Sequence, residues 1–323
     1  MSSTTTPAPV LPDVQMNLVP PTRPVTGRVV GNELCMKGKS ASFIRHVAID
    51  VSGTPLAGNF YAGQSFGIIP PGEDAKGKPH KVRLYSVASP SYGEDGEGNV
   101  ISTTPKRVVE ELVTRDEPDR HALYLGVCSN YLCDLNVGDE VLVSGPNGKR
   151  FLLPVHPEDH DYVFIATGTG IAPFRGMAME LLEGPNGPCS SRIDLFMGAP
   201  YTTDLLYDEL FRRYDAEFDN FRYHTAISRE VRPDGSRGLY VDRLLEEMLE
   251  ELGPKLKNPR TLIYICGLAG MQVGVFTMLA KHGLGGGYLE VKPELAEVDP
   301  GAWDAAQVKR YVRPTARCML EVY

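Results

Sequence analysis

The sequence predicts an antiparallel β-barrel domain followed by an α/β domain built on a parallel, Rossmann-like sheet. In the first half, short apolar runs are broken by glycine, proline and aspartate, a rhythm typical of antiparallel barrels and sandwiches. After about Asp161, buried strands alternate with helical segments, which is typical of a parallel sheet covered by helices. With 323 residues, the chain is long enough for two domains that each have a core of their own.

The strands of the first half are predicted from these apolar runs and from the turn residues between them. They cover residues 27–32, 43–50, 65–69, 82–88, 100–108, 122–126 and 140–145. Pro105 lies inside the fifth run, and proline has no amide hydrogen to donate to a neighbouring strand. We therefore expect this strand to be bulged or to lie at an edge.

The second half is predicted to alternate strictly between strand and helix. Strands cover residues 162–166, 193–198, 221–227 and 262–266, and helices cover 204–214, 241–252 and 271–282, with another beginning near Ala172. Ligands of such sheets bind beyond the carboxyl ends of the strands. These ends carry Gly168, Ser228 and Gly267, so a ligand is expected there.

Composition and charge exclude several classes of partner. The 41 acidic residues outnumber the 33 basic ones, and a net charge of −8 argues against nucleic acid and against anionic membrane surfaces. No apolar run approaches the roughly 18 residues that would span a membrane. Because charges balance over residues 22–154, the acidic excess lies in the second half. An acidic protein partner is therefore expected to prefer the first half.

The start of the chain and its cysteines indicate a cytoplasmic protein, which we expect to be a monomer. Residues 1–21 lack the basic start and apolar core of a signal peptide, and they are predicted to be a disordered tail. The six cysteines form no paired CxxC pattern, so free thiols and no metal site are expected.

Two segments of the first half have the chemistry of a pyrophosphate site. In Arg83-Leu84-Tyr85-Ser86, strand alternation puts the guanidinium and the ring on one face, suited to a pyrophosphate and to a flavin ring. The alternative is a surface arginine beside a half-buried tyrosine. Gly126-Val127-Cys128-Ser129 precedes a short helix, whose free amides favour a phosphate. The alternative there is a turn capped by Ser129.

The second half carries loops that suit a nicotinamide nucleotide. Gly168-Thr169-Gly170 follows a buried strand, but alone it could be a structural turn. Ala172-Pro173, and Cys266-Gly267-Leu268 at the end of a later strand, strengthen the prediction of a nucleotide site. Ser228 and Arg229 close another strand, with Arg237 and Tyr240 a short loop away. A hydroxyl, guanidinium groups and a ring favour the 2′-phosphate of NADP over the ribose of NAD. A salt-bridged loop around Glu230 is the alternative.

The end of the chain predicts a docked terminal strand. Cys318-Met319-Leu320 is apolar, and Glu321-Val322-Tyr323 follows at once, whereas most termini fray. Such a strand would present the ring of Tyr323, and with Tyr85 it could sandwich a planar cofactor.

These motifs together resemble the plant-type ferredoxin–NADP(+) reductases, a family of FAD flavoproteins. The resemblance runs from about Val25 to Tyr323 and includes Arg83-Leu84-Tyr85-Ser86, Gly126 to Leu135, Gly168 to Arg175 and Cys266-Gly267-Leu268. It implies an FAD-binding β-barrel over residues 22–157 and an NADP-binding α/β domain over residues 158–323.

The resemblance also implies a role for each matching residue. FAD would be bound by Arg83, Tyr85, Ser86, Gly126, Val127, Cys128, Ser129 and Tyr323. NADP(H) would be bound by Lys106, Thr169, Gly170, Ser228, Arg229, Arg237, Tyr240, Gly267 and Leu268. The catalytic group would be Ser86, Cys266, Glu321 and Tyr323. Two departures stand out, since no tyrosine for the FAD adenine is found near residues 108–112, and Gly238 replaces a lysine that many members carry.

The implied activity is electron transfer between NADPH and a one-electron carrier, a ferredoxin or a flavodoxin, by hydride transfer to or from flavin N5. The chain would then be an enzyme, a ferredoxin–NADP(+) reductase. One alternative is the reductase component of a multicomponent oxygenase, such as one acting on benzoyl-CoA. A flavin-binding docking protein without turnover is a third reading, disfavoured because docking needs none of Ser86, Cys266, Glu321 and Tyr323.

Overall fold

The computed structural model describes residues 8–38, 40, 42–114, 117–185 and 187–323. Its described residues form two compact units. The antiparallel unit comprises Asp13–Lys149 and Arg175–Glu180, and the parallel unit comprises Arg150–Phe174, Leu181–Tyr323 and the described residues up to Pro12. Each unit has its own buried apolar cluster. The functional domain limits inferred from the sequence, 22–157 and 158–323, remain a prediction.

The antiparallel unit is built on a six-stranded sheet with the order β4-β3-β8-β1-β2-β5. Its strands are β1 (Val25–Leu34), β2 (Arg45–Asp50), β3 (Ser65–Ile69), β4 (Arg83–Ser86), β5 (Val100–Thr103) and β8 (Glu140–Asn147). All their pairings are antiparallel, as predicted. Inward residues such as Val47, Ile49, Phe66 and Ile68 are fully buried and form the core of this unit.

A separate ribbon, formed by β6 (Val109–Thr114) and β7 (Glu117–Leu125), leads into helix α1 (Val127–Asp134). The strand predicted over residues 100–108 ends early, at Thr103. Pro105 follows, and Lys106 pairs with Ile44 only through an isolated bridge. The break agrees with the expected effect of a proline that cannot donate to the ladder.

The parallel unit contains a five-stranded sheet with the order β11-β10-β9-β12-β15. These strands are β9 (Asp161–Thr167), β10 (Ile193–Ala199), β11 (Phe221–Ile227), β12 (Thr261–Gly267) and β15 (Cys318–Val322). Every residue of β10 and β12 is buried, as expected for inner strands that are covered on both faces. The predicted parallel sheet is thus confirmed, and β15 docks beside β12 at its edge.

The remaining elements of the second half are helices and a small antiparallel pair of strands. The helices are α2 (Ala172–Glu183), α3 (Asp208–Glu217), α4 (Val241–Glu247), α5 (Leu249–Lys257), α6 (Ala269–Lys281), α7 (Pro293–Ala296) and α8 (Ala305–Tyr311), and the pair is β13 (Leu289–Val291) with β14 (Val312–Pro314). Two predicted helices differ in detail. The one at 204–214 begins only at Asp208, because Tyr207 has a left-handed φ of 55°, and the one at 241–252 is interrupted at Met248.

The predicted tail of residues 1–21 contains an ordered part. The Val19 side chain is 2% exposed and belongs to the apolar cluster of the antiparallel unit. The Val19 amide donates to the carbonyl of Gly145 at 2.9 Å. In the parallel unit, the carbonyl of Val10 accepts a hydrogen bond from the amide of Val155 at 2.9 Å. Residues 1–7 lie outside the described part of the chain. No helix in the described part is both long and apolar enough to cross a membrane.

Candidate functional site

One cavity of the antiparallel unit gathers six of the residues that were assigned to FAD. Arg83, Tyr85, Gly126, Val127, Cys128 and Ser129 all line this space of 280 Å³. Strand β4 contributes the first two, and the N-cap and first turn of helix α1 contribute the other four. The sequence alone predicted both segments as phosphate sites, and the structure brings them to a common cavity.

The guanidinium of Arg83 is exposed and is held by the backbone of the two residues that precede β4. Its Nη1 donates to the carbonyls of Lys81 and Val82 at 3.2 and 3.1 Å. No side-chain acceptor for this guanidinium appears in the described part of the chain, so its remaining N–H groups are free to bind an anion. A pyrophosphate matches this donor geometry, because guanidinium groups bind phosphate oxygens in pairs.

The ring of Tyr85 stands two residues further along β4 and is half-buried. Burial raises the pKa of its hydroxyl far above the ordinary value, with Cys128 adding to the effect. The phenol therefore remains neutral throughout the physiological range. A neutral, flat ring beside a phosphate-binding group is what an isoalloxazine ring requires.

Helix α1 begins at Val127, two residues before the cap that the alternative reading had placed at Ser129. The residue at the cap position is Gly126, with no side-chain cap hydrogen bond. The first helical bond runs from the Asn130 amide to the Gly126 carbonyl at 3.2 Å, so the amides before it remain available to a ligand. A Cβ on Gly126 would lie 2.6 Å from Ser129 Oγ and 2.8 Å from Val108 Cβ. Glycine is needed here for space.

Tyr124 also lines this cavity, and the sequence analysis did not identify it. It lies on β7, and the signal that could have found it is an aromatic residue two positions before Gly126. A tyrosine for the adenine was expected near residues 108–112, on the β6 side of the ribbon, whereas Tyr124 lies on the facing strand β7.

The carboxyl edge of the parallel sheet is tightly packed where two glycine loops meet. A Cβ on Gly170 would lie 2.1 Å from the carbonyl oxygen of Cys266, and one on Gly267 would lie 2.3 Å from Thr167 Oγ1. Gly267 also has a φ of +139°, which side chains rarely adopt. The loops after β9 and β12 therefore approach each other to a degree that only glycine permits.

Cys266 and Glu321 occupy directly paired positions on β12 and β15. Burial raises the pKa of Glu321 to about 7. Burial, reinforced by the charge of Glu321, raises the pKa of the Cys266 thiol well above its usual range. A neutral thiol therefore lies beside a carboxyl group that can hold a proton near neutral pH.

Tyr323 continues β15 to the same edge. Its amide donates to the Gly267 carbonyl at 3.0 Å, and its own carbonyl accepts from the Ala269 amide at 3.2 Å. Tyr323 as a whole residue is nevertheless 63% exposed. The predicted docking of the terminus is confirmed in this respect, since the backbone is fixed although much of the residue stays accessible.

The residues assigned to the 2′-phosphate come together after β11. The Leu239 amide donates to the Ile227 carbonyl at 2.9 Å, which brings the segment carrying Arg237 and Tyr240 beside Ser228 and Arg229. Glu230 does not pair with Arg229, since its carboxylate accepts from the Thr202 amide and hydroxyl at 2.6 and 2.7 Å. The exposed guanidinium of Arg229 has no side-chain acceptor among the described residues.

Two of the assigned residues lie in the antiparallel unit but not in the cavity wall. Ser86 ends β4, where its carbonyl accepts from the Thr103 hydroxyl at 2.9 Å. Lys106 is exposed and follows Pro105. Their assigned roles toward the nicotinamide and the NADP pyrophosphate remain predictions. The cluster of Thr169, Gly170, Cys266, Gly267, Leu268, Glu321 and Tyr323 is, by contrast, brought to a single sheet edge.

Comparison with known proteins agrees with this architecture. Residues 164–276 match the family described as the oxidoreductase NAD-binding domain. A solved structure of ferredoxin–NADP+ reductase from Plasmodium falciparum with 2′P-AMP has a TM-score of 0.68 and 20% identity over 95% of this chain and 99% of that one. This likeness shows the fold. The matched family and the fold together define a chain with an oxidoreductase NAD-binding domain and an additional antiparallel domain.

Curated relatives narrow this class to a family. Ferredoxin–NADP reductase from Spirulina is 37% identical over 267 residues, which cover 81% of this chain and 88% of the relative. The root isozyme of rice is 39% identical, over 82% of this chain and 70% of the relative. The Synechocystis enzyme is 38% identical over 84% of this chain, but the match spans only 65% of its own length. The chain belongs to the plant-type ferredoxin–NADP reductase family.

Proposed function

We propose that this chain is an FAD-dependent enzyme that transfers electrons between NADPH and a ferredoxin or flavodoxin. The observation that carries the proposal is the single cavity lined by Arg83, Tyr85, Ser129 and the residues between Gly126 and Cys128. Two phosphate-binding segments in one cavity fit the pyrophosphate of FAD, whereas the single phosphate of FMN would use only one of them. The ferredoxin–NADP reductase names of the relatives support the same activity.

FAD, when bound, supplies hydride exchange at N5 and one-electron exchange with a carrier. The protein's contribution is to bind and orient the reactants. Arg83 and the start of α1 hold the pyrophosphate, and Tyr85 provides a flat neutral surface. In the parallel unit, Ser228, Arg229, Arg237 and Tyr240 hold the 2′-phosphoadenosine. Thr169 faces the NADP pyrophosphate, and the ring of Tyr323 lies at the same sheet edge.

Glu321 and Cys266 give the nicotinamide end of this site its electrostatic character. With a pKa of about 7, Glu321 can hold or release a proton at physiological pH. The thiol of Cys266 remains neutral because its pKa is raised. The charge at this place therefore depends on the protonation of Glu321, which matters to a nicotinamide ring that changes its own charge by one unit when hydride moves.

The activity is tested by flavin reconstitution followed by NADPH-dependent reduction of ferricyanide. We expect the protein to bind FAD noncovalently, to bind FMN poorly, and to turn over with NADPH. Equal affinity for FMN and FAD would contradict the pyrophosphate assignment. A yellow protein that binds FAD but does not reduce ferricyanide would instead support a docking role without turnover.

The electron carrier is proposed to bind the basic surface of the antiparallel unit formed by Lys76, Lys78, Lys81 and Lys149. All four side chains are exposed. Because the chain as a whole carries a charge of −8, attraction of an acidic carrier has to be local. Exposed charges are screened beyond a Debye length of about 8 Å in physiological salt. Carrier reduction should therefore slow as salt rises.

Charge reversal locates this surface. Lys78→Glu should slow the reduction of ferredoxin and flatten its salt dependence, while leaving ferricyanide reduction unchanged. Lys309→Glu reverses the charge of another exposed lysine, on α8 of the parallel unit, and serves as the control. If carrier reduction does not depend on salt, or if both variants slow it equally, the carrier does not bind at this basic surface. Neither result would affect the proposed flavin chemistry.

A further inference from the structure

The β6–β7 ribbon contains an aromatic side chain, Tyr124, to which the proposed function assigns no role. Tyr124 lies directly opposite Glu110 in the register of the ribbon. Its side chain is 48% exposed, yet it lines the cavity that also contains Arg83 and Ser129. A large ring left half open beside two phosphate-binding segments suits a ligand with a second flat group.

Strand alternation separates the two faces of this ribbon. Successive side chains of a strand point to opposite faces, so Tyr124 and Gly126 share one face while Leu123 and Leu125 share the other. The backbone continues the pairing beyond β7, because the Gly126 amide donates to the Val108 carbonyl at 2.9 Å. Val108, Tyr124 and Gly126 all line the cavity, and neither Leu123 nor Leu125 does.

The cavity wall beside Tyr124 has the chemistry of a nucleobase site. The ring is accompanied by the apolar side chains of Val108 and Val127, while the anion-binding groups are Arg83 and the amides at the start of α1. A dinucleotide has a pyrophosphate between two ring systems. Tyr85 suits the flavin, and Tyr124, on a different strand of the same cavity, is left for the other ring.

We propose that Tyr124 stacks on the adenine of FAD and thereby supplies the adenine-binding residue that the sequence lacks near residues 108–112. The inference rests on the proposed function, since it concerns the same cofactor. Part of the preference for FAD over FMN would then come from a residue of β7. Aromatic rings stack on any nucleobase, so Phe at this position would serve nearly as well as Tyr.

The test is a titration of flavin-free protein with FAD and with FMN, which needs no turnover. The variants are Tyr124→Ala, Tyr124→Phe and, as a matched control on the other face of the ribbon, Leu123→Ala, which truncates a side chain that is 66% exposed. We expect the Kd for FAD to rise roughly five- to hundredfold in Tyr124→Ala, the usual range for loss of a base–aromatic stack. The Kd for FMN should be unchanged, because FMN has no adenine.

Tyr124→Phe and Leu123→Ala should retain wild-type affinity for both flavins. Equal weakening of FAD and FMN by Tyr124→Ala would show that the residue supports the ribbon, and unchanged FAD affinity would show that the ring is not used. Either result overturns this inference alone. Failure of the wild-type protein to take up FAD would overturn the proposed function itself, and this inference with it.

Discussion

The hydroxyl of Tyr323 lies 2.7 Å from Oγ1 of Thr169, so this side chain is tied to the loop after β9. Thr169 belongs to the turn Gly168–Ile171, which we assign to the NADP pyrophosphate. The backbone of Tyr323 is held independently by Gly267 and Ala269. The contact of the ring and the contacts of the backbone are thus separate, and a ligand that binds the Thr169 hydroxyl would compete only for the contact that holds the ring.

Removal of this ring should tighten nucleotide binding. In Tyr323→Ser, the nicotinamide no longer has to displace a ring, so the Kd for NADP(+) should fall on the order of tenfold, about 1.4 kcal/mol. Discrimination between NADPH and NADH should decrease, because NADH lacks the 2′-phosphate anchor needed to compete with the ring. Turnover should slow through product release. Equilibrium titration and NADH turnover measure these effects.

Thr169→Val provides the matched comparison for Tyr323→Ser. It removes the hydroxyl that holds the ring but leaves the ring itself. An intermediate gain in NADP(+) affinity is expected if the hydroxyl bond restrains the ring, and a loss is expected if Thr169 mainly binds phosphate. If Tyr323→Ser changes only the melting temperature, the ring is a packing residue and our reading of this contact is wrong.

Arg229 should determine the preference for NADPH. A charge-assisted contact contributes about 1.5–3 kcal/mol, so Arg229→Ala should raise the KM for NADPH roughly ten- to hundredfold and leave NADH nearly unaffected. Arg192→Ala is the control, because Arg192 is also exposed but precedes β10 at the amino edge of the same sheet. Equal losses for both nucleotides would mean that Arg229 supports the loop structure instead.

The local geometry of the two segments assigned to phosphate could be predicted because its signals are local, whereas their phosphate binding remains a prediction. Two-residue alternation on one short strand suffices to place Arg83 beside Tyr85, and a glycine before a helix suffices to indicate the amides at Val127. The parallel sheet was predictable for a similar reason, since fully apolar runs such as β10 and β12 indicate strands that are buried on both faces.

Features that depend on distant pairing could not be predicted in this way. Tyr124 reaches the cavity through its register with Glu110, and strand β6 itself was missed because Glu110 and Glu111 interrupt its apolar pattern. Arg229 is not paired with Glu230 because the carboxylate of Glu230 binds Thr202, which is 28 residues away in sequence. Neither relationship has a signature within a short window of the sequence.

Glu321 should make the stability of the protein depend on pH near neutrality. Burial raises its pKa from an ordinary value of 4.5 to about 7. Between these values the folded protein holds the proton more tightly than the unfolded chain does, so the free energy of unfolding falls as pH rises through this window. The decrease has an upper limit of roughly 3.5 kcal/mol, at about 1.4 kcal/mol for each unit of pKa shift.

Chemical denaturation of Glu321→Gln at several pH values tests this dependence. The glutamine carries no charge, so the variant should gain stability relative to the wild type as pH rises from 4.5 to 7, with a constant difference above that range. Glu290→Gln removes an exposed carboxyl from β13 and reports the general effect of one lost charge. Parallel pH profiles for the wild type and Glu321→Gln would show that Glu321 does not titrate in this window.

Gly238 should not accept the lysine that many family members carry at this position. A Cβ there would lie 2.2 Å from the Ile227 carbonyl oxygen and 2.7 Å from that of Glu230, and both are backbone atoms that cannot move without shifting the loop. Gly238→Lys should therefore weaken NADPH binding, because the loop that it displaces carries Ser228 and Arg229.

Val231→Lys adds the same charge to this loop at a residue that is 74% exposed, and it should leave NADPH affinity unchanged or improved. Comparing the Kd for NADPH of the two variants shows whether position 238 requires glycine for lack of space or merely lacks a charge. Tighter binding by Gly238→Lys would mean that the loop relaxes readily and that the glycine merely lacks a charge.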